Sequence, residues 1–315
     1  MSINTALAYR SFGPPDVVLH LQDEDLSPLP RHLARVRMLF APINPSDLIP
    51  ITGAYRHRTR LPCTAGYEGV GVVTAAPVSA KHLLGRRVLP LRGCGTWQRY
   101  LDCDPDLLIP VPDDVPDDIA ARAYINPMAA QILLKTWPVR GKTVLLTGAG
   151  SVCANLLADW SFREGADSVS GVYRNPVHID RLNTLGVQPL SEDALDGIKS
   201  TAGRADIVFD ALGGPIASLI LASLRPGVPF VGYGLLSGMP VTPVGEGGRL
   251  ERFHLRDTLV GLSPLEWRQR FDELWPKLDE RIMGPSRRFD LLDWRDALAF
   301  VRESGRRQKP VLVFS

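Results

Sequence analysis

The sequence predicts an α/β protein in which a β-rich N-terminal part precedes a doubly wound parallel sheet. Two observations lead to this prediction. Over about the first 120 residues, short apolar segments alternate with prolines and glycines, a pattern typical of strands in a compact antiparallel or barrel-like unit. From about residue 117, helical and strand-like segments alternate, which predicts parallel strands joined by crossover helices.

The composition is that of an ordinary globular protein. The 315 residues are enough for two domains, and 45% of them are hydrophobic and 22% charged. A net charge of +2 with scattered arginines gives no reason to propose nucleic acid or a charged membrane as a partner. The sequence has no apolar run long enough to span a membrane and no N-terminal secretion signal, so we expect a cytoplasmic protein.

Four segments of the N-terminal part have the character of strands. Each is short, apolar and bounded by turn-forming residues. They are residues 17–21, 33–40, 69–73 and 87–91. Four prolines between residues 105 and 116 mark the connection to the next part.

The second part opens with a strand, a glycine turn and a helix over residues 142–164. The turn is Gly148-Ala149-Gly150-Ser151-Val152, and Cys153 stands at the third position of the dinucleotide-binding pattern, where glycine or alanine is usual. Cysteine is small enough to replace them. Because a helix N-terminus presents unpaired N–H groups, this turn can hold a pyrophosphate. The alternative is a plain strand-to-helix connection.

Arg174 ends the second strand of this part, residues 168–173, where NAD-binding proteins usually carry an acid. An acid at this place would repel a phosphate on the adenosine ribose, whereas arginine would bind it. We therefore predict NADPH rather than NADH as the cofactor, with Asn175 as a second candidate contact. The alternative is an ordinary surface arginine.

The later segments continue the alternation and then change. Strands are expected over 205–210 and 229–233, with a helix near 216–224 between them. Two more helices, over 264–280 and 293–304, precede a terminal strand over 310–314. The cysteines lack metal-ligand spacing and are expected to be free thiols: Cys63, Cys94, Cys103 and Cys153.

A series of short motifs runs in a fixed order along nearly the whole chain. The motifs are Asn44-Pro45-Ser46-Asp47-Leu48, Gly53-Ala54-Tyr55, Gly66-Tyr67-Glu68-Gly69, Gly85-Arg86-Arg87-Val88, Gly95-Thr96-Trp97, Asn126-Pro127, Ala211-Leu212-Gly213-Gly214 and Tyr233-Gly234-Leu235-Leu236. In these the chain resembles the zinc-independent medium-chain dehydrogenase/reductase superfamily, in its 2-enoyl-thioester reductase and quinone reductase branches. The resemblance implies a GroES-like catalytic domain over 1–118 and 285–315, and a Rossmann NADPH-binding domain over 119–284.

The resemblance also bears on metal chemistry. Zinc-dependent relatives place a cysteine near position 44 and a histidine before the glutamate of the segment that matches 66–68. This chain has Asn44 and Tyr67 there. Without a thiolate and an imidazole we expect no metal ion in the site.

Tyr55 is the candidate catalytic acid. In enoyl-thioester reductases, a tyrosine in the matching segment is associated with protonation or stabilisation of the substrate after hydride transfer, and a phenol can serve both purposes. The alternative is a loop tyrosine whose ring packs and whose hydroxyl meets water. The basic residues that follow, 56–60, could attract the phosphates of coenzyme A or of a carrier-protein arm, or could form a solvated loop.

The resemblance implies further site residues. Asn126 is expected near the nicotinamide, and residues 148–152 at the pyrophosphate. Lys309 precedes the terminal strand where enoyl reductases also have a lysine, although a plain surface lysine would look the same. The remaining cofactor-binding candidates are Asn44, Tyr233, Gly234, Leu235 and Leu236, and the candidates for the substrate pocket are Tyr67 and Trp97.

The predicted function is the NADPH-dependent, metal-free reduction of an activated carbon–carbon double bond. A 2-enoyl thioester of coenzyme A or of a carrier protein is the favoured substrate. One alternative is a quinone or enone oxidoreductase, which needs no dedicated acid. Another is a protein that binds NADPH as a sensor or structural component. By analogy alone, a homodimer is expected.

Overall fold

The computed structural model of the chain describes residues 3–91, 95–243, 245 and 247–314, so that Cys94 lies outside the described residues. The chain forms two compact units. The first comprises residues 1–125, 261–280 and 284–315, and the second comprises 126–260 and 281–283. The domain limits inferred from the resemblance stay a prediction.

The strands are numbered in chain order. Within the described residues they are β1 (Ile3–Tyr9), β2 (Leu19–Asp25), β3 (Ala34–Pro42), β4 (Cys63–Thr64), β5 (Val70–Ala75), β6 (Arg87–Pro90), β7 (Tyr100–Cys103), β8 (Leu108–Pro110), β9 (Thr143–Leu146), β10 (Ser168–Tyr173), β11 (Gln188–Ser191), β12 (Ile207–Asp210), β13 (Pro229–Gly232), β14 (Arg249–Arg252), β15 (Ser286–Asp290) and β16 (Lys309–Val313).

The α-helices are numbered in the same way. Over the same residues they are α1 (Pro15–Val18), α2 (Pro45–Leu48), α3 (Asp117–Ala120), α4 (Ile125–Thr136), α5 (Val152–Arg163), α6 (Ile179–Thr184), α7 (Leu195–Arg204), α8 (Gly214–Ser223), α9 (Leu255–Thr258), α10 (Pro264–Leu274), α11 (Glu280–Met283) and α12 (Trp294–Arg302). None of these helices is both long and apolar enough to cross a membrane.

The first unit is built on strands, as the sequence predicts. Its larger sheet has the order β15-β16-β3-β5-β6-β8, with β7 also paired to β3, and every pair except β15 with β16 is antiparallel. In β3, Ala34, Val36 and Met38 alternate with more exposed neighbours and lie in the core. A smaller sheet has the order β2-β1-β4. The core of this unit also takes in Trp294 and Leu298 of α12.

The second unit contains a parallel sheet of order β11-β10-β9-β12-β13-β14. Val144, Leu145 and Leu146 of β9 are all buried, as expected for a strand with helices on both faces of its sheet. The chain runs outward from β9 to β11 and then returns to β12 on the other side of β9. A doubly wound sheet binds ligands at such a switch point, outside the carboxyl ends of the strands.

Two segments differ from the sequence-based expectation. The predicted strand over 17–21 was wrong at its start, because residues 17 and 18 end the short helix α1, which begins at Pro15. Proline is favoured in the first turn of a helix because its fixed φ suits that position. The predicted helix over 264–280 ends at Leu274 and continues as a tighter turn, Trp275–Lys277, because Pro276 cannot donate a helical hydrogen bond.

Candidate active site

Three buried polar side chains of the first unit, Asn44, Asp47 and Glu68, are joined by the half-buried Lys309. We call these four residues the buried polar network. The Lys309 ammonium donates a hydrogen bond to Asn44 Oδ1 at 2.6 Å. Asn44 Nδ2 in turn donates to Glu68 Oε1 at 2.7 Å. Both ends of the Asn44 amide are therefore held. The structure brings together two residues predicted from the sequence, Asn44 and Lys309, and places two carboxyl groups beside them.

The Glu68 carboxyl is buried and accepts backbone hydrogen bonds as well as the Asn44 amide. Its Oε2 accepts the N–H of Ile125 at 2.7 Å and that of Tyr124 at 3.1 Å. Burial raises the pKa of Glu68, and these hydrogen bonds together with Lys309 oppose the rise. The carboxyl thus fixes both the Asn44 side chain and the backbone of residues 124 and 125, where the first stretch of this unit ends.

Asp47 stands in the first turn of α2 and folds back on the residue before the helix. Its Oδ2 accepts the Asn44 N–H at 2.6 Å, and its Oδ1 accepts the Tyr67 N–H at 2.9 Å. Burial raises the pKa of Asp47 to about 7, against the effect of those donors. Burial likewise lowers the pKa of Lys309 to about 8, while Glu68 and Asp47 oppose that change.

Tyr55 lies in a series of tight turns after α2 and is half-buried. Its carbonyl oxygen accepts hydrogen bonds from the Arg58 N–H, the Thr59 N–H and Thr59 Oγ1, at 3.0, 3.1 and 3.0 Å. The Arg58 guanidinium carbon lies 4.0 Å from the centre of the Tyr55 ring, within range of a cation–π contact. The loop therefore holds the Tyr55 backbone by hydrogen bonds and contacts its ring through Arg58. The basic side chains of Arg56 and Arg60 are exposed.

The two residues predicted for the substrate pocket differ in their surroundings. Tyr67 is half-buried, and its backbone is held by Asp47. Trp97 is fully buried, and its Nε1 donates to the Pro42 carbonyl at 3.2 Å. Gly66 leaves room for this indole, since a Cβ there would lie 2.3 Å from Trp97 Cδ1. The structure gives Trp97 a packing role in the core, and its contact with substrate stays a prediction.

The glycine turn of the second unit connects β9 to α5. Gly148 has a positive φ of 58°, and the Ser151 side chain caps α5 by accepting the Ala154 N–H at 3.2 Å. Asn155 Nδ2 donates to the carbonyl oxygens of Ala149 and Ser151 at 3.0 and 2.5 Å. These bonds turn the carbonyls toward the helix. Asn155 was not predicted as a site residue, because an asparagine within a helix suggests no special role.

Cys153 and Tyr233 occupy the interior behind the turn. The Cys153 thiol is buried, lies 3.8 Å from the Asn126 carbonyl oxygen, and has its pKa raised to about 12 by burial. It is a packed, unreactive thiol. The Tyr233 hydroxyl is buried near Ser151 and Cys153 without a hydrogen bond of ordinary geometry, and burial raises its pKa.

Thr147 and Asp210 join the carboxyl ends of β9 and β12. Thr147 Oγ1 donates to Asp210 Oδ1 at 2.6 Å, and the Gly213 N–H donates to Asp210 Oδ2 at 2.9 Å. The backbone oxygen of Asp210 accepts the Tyr233 N–H at 2.8 Å. The segment 233–236 is thereby fixed along the end of β12. Leu235 within it is half exposed.

The hydrogen-bonded pair of Thr147 and Asp210 was not predicted from the sequence. A threonine and an aspartate that end two strands are the signal that could have found it, because those ends meet in a parallel sheet. Burial raises the pKa of Asp210, and the Thr147 hydrogen bond lowers it.

Arg174 lies at the end of β10 and its side chain is exposed. Glu192 follows β11 and lies close to Arg174. Burial raises the pKa of Glu192, and the positive charge of Arg174 opposes that rise. Asn175 Oδ1 accepts the Val177 N–H at 3.1 Å and so starts the turn Pro176–His178. The structure therefore places an acid near the predicted phosphate-binding arginine.

These features of the second unit fit a dinucleotide. Helix α5 has 12 residues, and the first N–H groups of a helix lack intrahelical partners. Gly150 has no side chain where the backbone must come close to a pyrophosphate. In the described part of the chain, no group of three or more His, Cys, Asp or Glu side chains is placed to hold a metal ion. The expectation of metal-free chemistry stays a prediction.

Comparison with known proteins supports the sequence-based assignment. Residues 30–113 match the alcohol dehydrogenase GroES-like domain. The mitochondrial enoyl-[acyl-carrier-protein] reductase of Arabidopsis thaliana is 31% identical over 251 residues, which are 75% of this chain and 67% of that protein. A Bacillus thuringiensis protein, solved as a candidate NADPH:quinone reductase, is 33% identical, covers 99% of both chains and has a TM-score of 0.90.

A third protein shares the fold at lower identity. ETR1P, solved with NADP and crotonyl-CoA, has a TM-score of 0.81 at 20% identity, over 99% of this chain and 100% of its own. Family match, sequence identity and fold agree with the order of motifs along the chain. This chain belongs to the medium-chain dehydrogenase/reductase superfamily, in its enoyl-thioester reductase and quinone reductase branch.

Proposed function

We propose that this chain is an NADPH-dependent reductase of an activated carbon–carbon double bond, with a 2-enoyl thioester as its favoured substrate. Membership of its family makes it an oxidoreductase. The glycine turn and the exposed Arg174 support NADPH as the cofactor. A carrier-protein or coenzyme A thioester is favoured because a relative at 31% identity is an enoyl-[acyl-carrier-protein] reductase by name.

The observation that supports the reaction most directly is the way in which Tyr55 is held. Three hydrogen bonds to its carbonyl oxygen fix its backbone, and the Arg58 guanidinium lies over the ring of this half-buried phenol. When bound, NADPH supplies the hydride that adds to the β-carbon of the enoyl group. The Tyr55 hydroxyl donates a hydrogen bond to the enolate oxygen as charge develops there, and then transfers its proton to the α-carbon. Solvent returns a proton to the phenolate.

The other site residues are proposed to hold the cofactor or the substrate. The buried polar network orients the Asn44 amide, and Lys309 acts through that amide. Residues 148–152 hold the pyrophosphate, and Arg174 with Asn175 holds the 2′-phosphate. The residues proposed to contact the nicotinamide are Asn126, Tyr233, Gly234, Leu235 and Leu236. Those proposed to contact the substrate are Tyr67 and Trp97.

A homodimer and a cytoplasmic location complete the proposal. In the sheet order of the described residues, β14 is an outer strand with no further strand on its open edge. Such an edge can pair with a second copy. Light scattering of the purified protein measures the number of copies.

The Tyr55→Phe variant tests the proposed acid. Removing the hydroxyl should lower kcat for crotonyl thioester reduction roughly 100-fold, within the range for general acids. NADPH affinity should stay the same, because the ring and loop are kept. Stopped-flow turnover and calorimetric titration measure the two quantities. Tyr100→Phe, at a half-buried tyrosine of β7, is the matched control. Unchanged turnover in Tyr55→Phe rules out its role as the acid.

Quinone or enone reduction is the second candidate function, and it is favoured by the relative at 33% identity over 99% of both chains. Rates of NADPH oxidation with crotonyl thioester, naphthoquinone and a simple enone separate the two. Faster turnover of the quinone, unaffected by Tyr55→Phe, would favour the second function. Tight NADPH binding without turnover of any of the three would favour a sensor or structural role.

A further inference from the structure

The His178 side chain lies directly on the glycine turn of the second unit. His178 ends the turn Pro176–His178, which follows Arg174 at the end of β10. A Cβ built on Gly150 would lie 2.6 Å from His178 Cδ2 and 2.7 Å from its Nε2. The imidazole therefore occupies the face of Gly150 that a side chain would fill, and only glycine leaves room for it.

This face has a known purpose in dinucleotide-binding turns. The second glycine of the pattern allows the backbone to approach the pyrophosphate. A ring nitrogen on that face would stand beside a pyrophosphate bound at Gly150, and an imidazole N–H is a good donor to a phosphate oxygen. We propose that the His178 imidazole binds the pyrophosphate of NADPH and forms, together with the start of α5, the two sides of the phosphate site.

The surrounding structure holds His178 in this position. The His178 N–H donates to the Asn175 carbonyl at 3.2 Å, and α6 begins at the next residue. Within α6, Arg181 Nε donates to Asn155 Oδ1 at 2.7 Å, and Asn155 is the residue that holds the turn carbonyls. Since α6 is tied to the turn by a second contact, His178 is positioned by ordered elements on both sides.

Arg174 and His178 should therefore serve different phosphates. The 2′-phosphate is present only in NADPH, whereas the pyrophosphate is common to NADPH and NADH. A residue that contacts the pyrophosphate contributes equally to the binding of both dinucleotides. A residue that contacts the 2′-phosphate contributes to NADPH alone. The comparison of the two cofactors thus separates the two roles without any measurement of turnover.

The experiment is calorimetric titration of NADPH and NADH into four proteins: native, His178→Ala, Arg174→Ala and His82→Ala. His178→Ala should weaken both dinucleotides by the same factor, roughly 10-fold, as expected for one hydrogen bond to a charged group. Arg174→Ala should weaken NADPH only. His82→Ala, at an exposed histidine of the first unit, should change neither. His178→Gln keeps a donor and should recover part of the affinity.

Three results would overturn the proposal. Unchanged affinity in His178→Ala would show that the ring does not touch the cofactor. Tighter binding of both dinucleotides would show that it obstructs the site. A loss confined to NADPH would assign the ring to the 2′-phosphate. The proposal depends on the use of NADPH proposed above; failure of the native protein to bind either dinucleotide would reject that use and this contact together. Should His178→Ala not fold, the titration of His178→Phe, which keeps a ring but has no hydrogen-bond donor, carries the same comparison.

Discussion

The buried polar network of the first unit and the glycine turn of the second unit both hold functional residues in place, but by different means. The network places two buried carboxyl groups, Asp47 and Glu68, beside the ammonium of the half-buried Lys309. The turn region uses mainly backbone groups and neutral side chains such as Thr147 and Asn155, and its buried Asp210 carboxyl accepts hydrogen bonds from neutral donors. The first arrangement depends on balanced charge, and the second depends on shape and hydrogen-bond direction.

Because of this difference, the two regions should tolerate the loss of a polar group unequally. Loss of one charge from a buried set leaves the others without compensation, which costs far more than a lost neutral hydrogen bond. In the turn region, the hydrogen-bonding groups are small side chains or backbone groups, so the removal of a single hydroxyl affects few neighbours. Substitutions that remove one polar group from each region can test this contrast.

The largest effect is expected for Lys309→Met. Methionine keeps much of the side-chain volume but removes the ammonium that balances Asp47 and Glu68, so the free energy of unfolding should fall by about 3–5 kcal/mol. Urea unfolding followed by circular dichroism measures the change. Lys81→Met, at an exposed lysine of the same unit, is the control and should stay within about 0.5 kcal/mol of the native protein. A decrease in the free energy of unfolding as small as that of the control would mean that Lys309 does not compensate the charges of Asp47 and Glu68.

A smaller effect is expected for Thr147→Val in the second unit. The change keeps the shape and removes the hydroxyl that donates to Asp210 and accepts from the Ala211 N–H. The free energy of unfolding should fall by roughly 1–3 kcal/mol, the cost of leaving buried polar groups without a partner. Thr184→Val, at an exposed threonine of α6, is the control. A loss equal to that of Lys309→Met would contradict the distinction between the two regions.

The sequence predicts these two regions unequally, for a physical reason. Gly148, Gly150 and Ser151 lie within four residues, and local geometry alone requires a turn and a helix start there. Lys309 and Asn44 are 265 residues apart, and they meet because β16 pairs with β3. Nothing local distinguishes a lysine held within the first unit at the start of a terminal strand from a fully exposed one, so only the family resemblance indicated Lys309.

The same limit explains the residues that sequence analysis missed. Asp47 was visible within a motif, but its hydrogen bond to the Tyr67 N–H spans 20 residues of chain and depends on the packing of two loops. His178 lies on Gly150 because β10 pairs with β9 and brings together the turns that follow them, and no periodic pattern reports that contact. The fold class and the glycine turn follow from local patterns, whereas the partners of buried polar groups follow from tertiary structure.

The pH dependence of stability gives the finest test of the comparison. With the pKa of Asp47 raised from 3.8 to about 7, the folded protein keeps a proton that the unfolded chain has already released. The free energy of unfolding should therefore fall as pH rises from about 4 to 7, by at most about 1.4 kcal/mol per pH unit from this one carboxyl. Glu68 in the first unit and Asp210 in the second act in the same direction.

The alkaline side of the profile separates the two regions. With the pKa of Lys309 lowered from 10.5 to about 8, the folded protein releases a proton that the unfolded chain still holds, so stability should rise again from about pH 8 to 10. Urea unfolding at pH 5, 7 and 9 should show a minimum near neutral pH. Asp47→Asn should flatten the acidic limb, and Lys309→Met should remove the alkaline limb while Thr147→Val keeps it. An alkaline rise that persists in Lys309→Met would place its source outside the buried polar network, and the contrast between a charged and a neutral region would then fail.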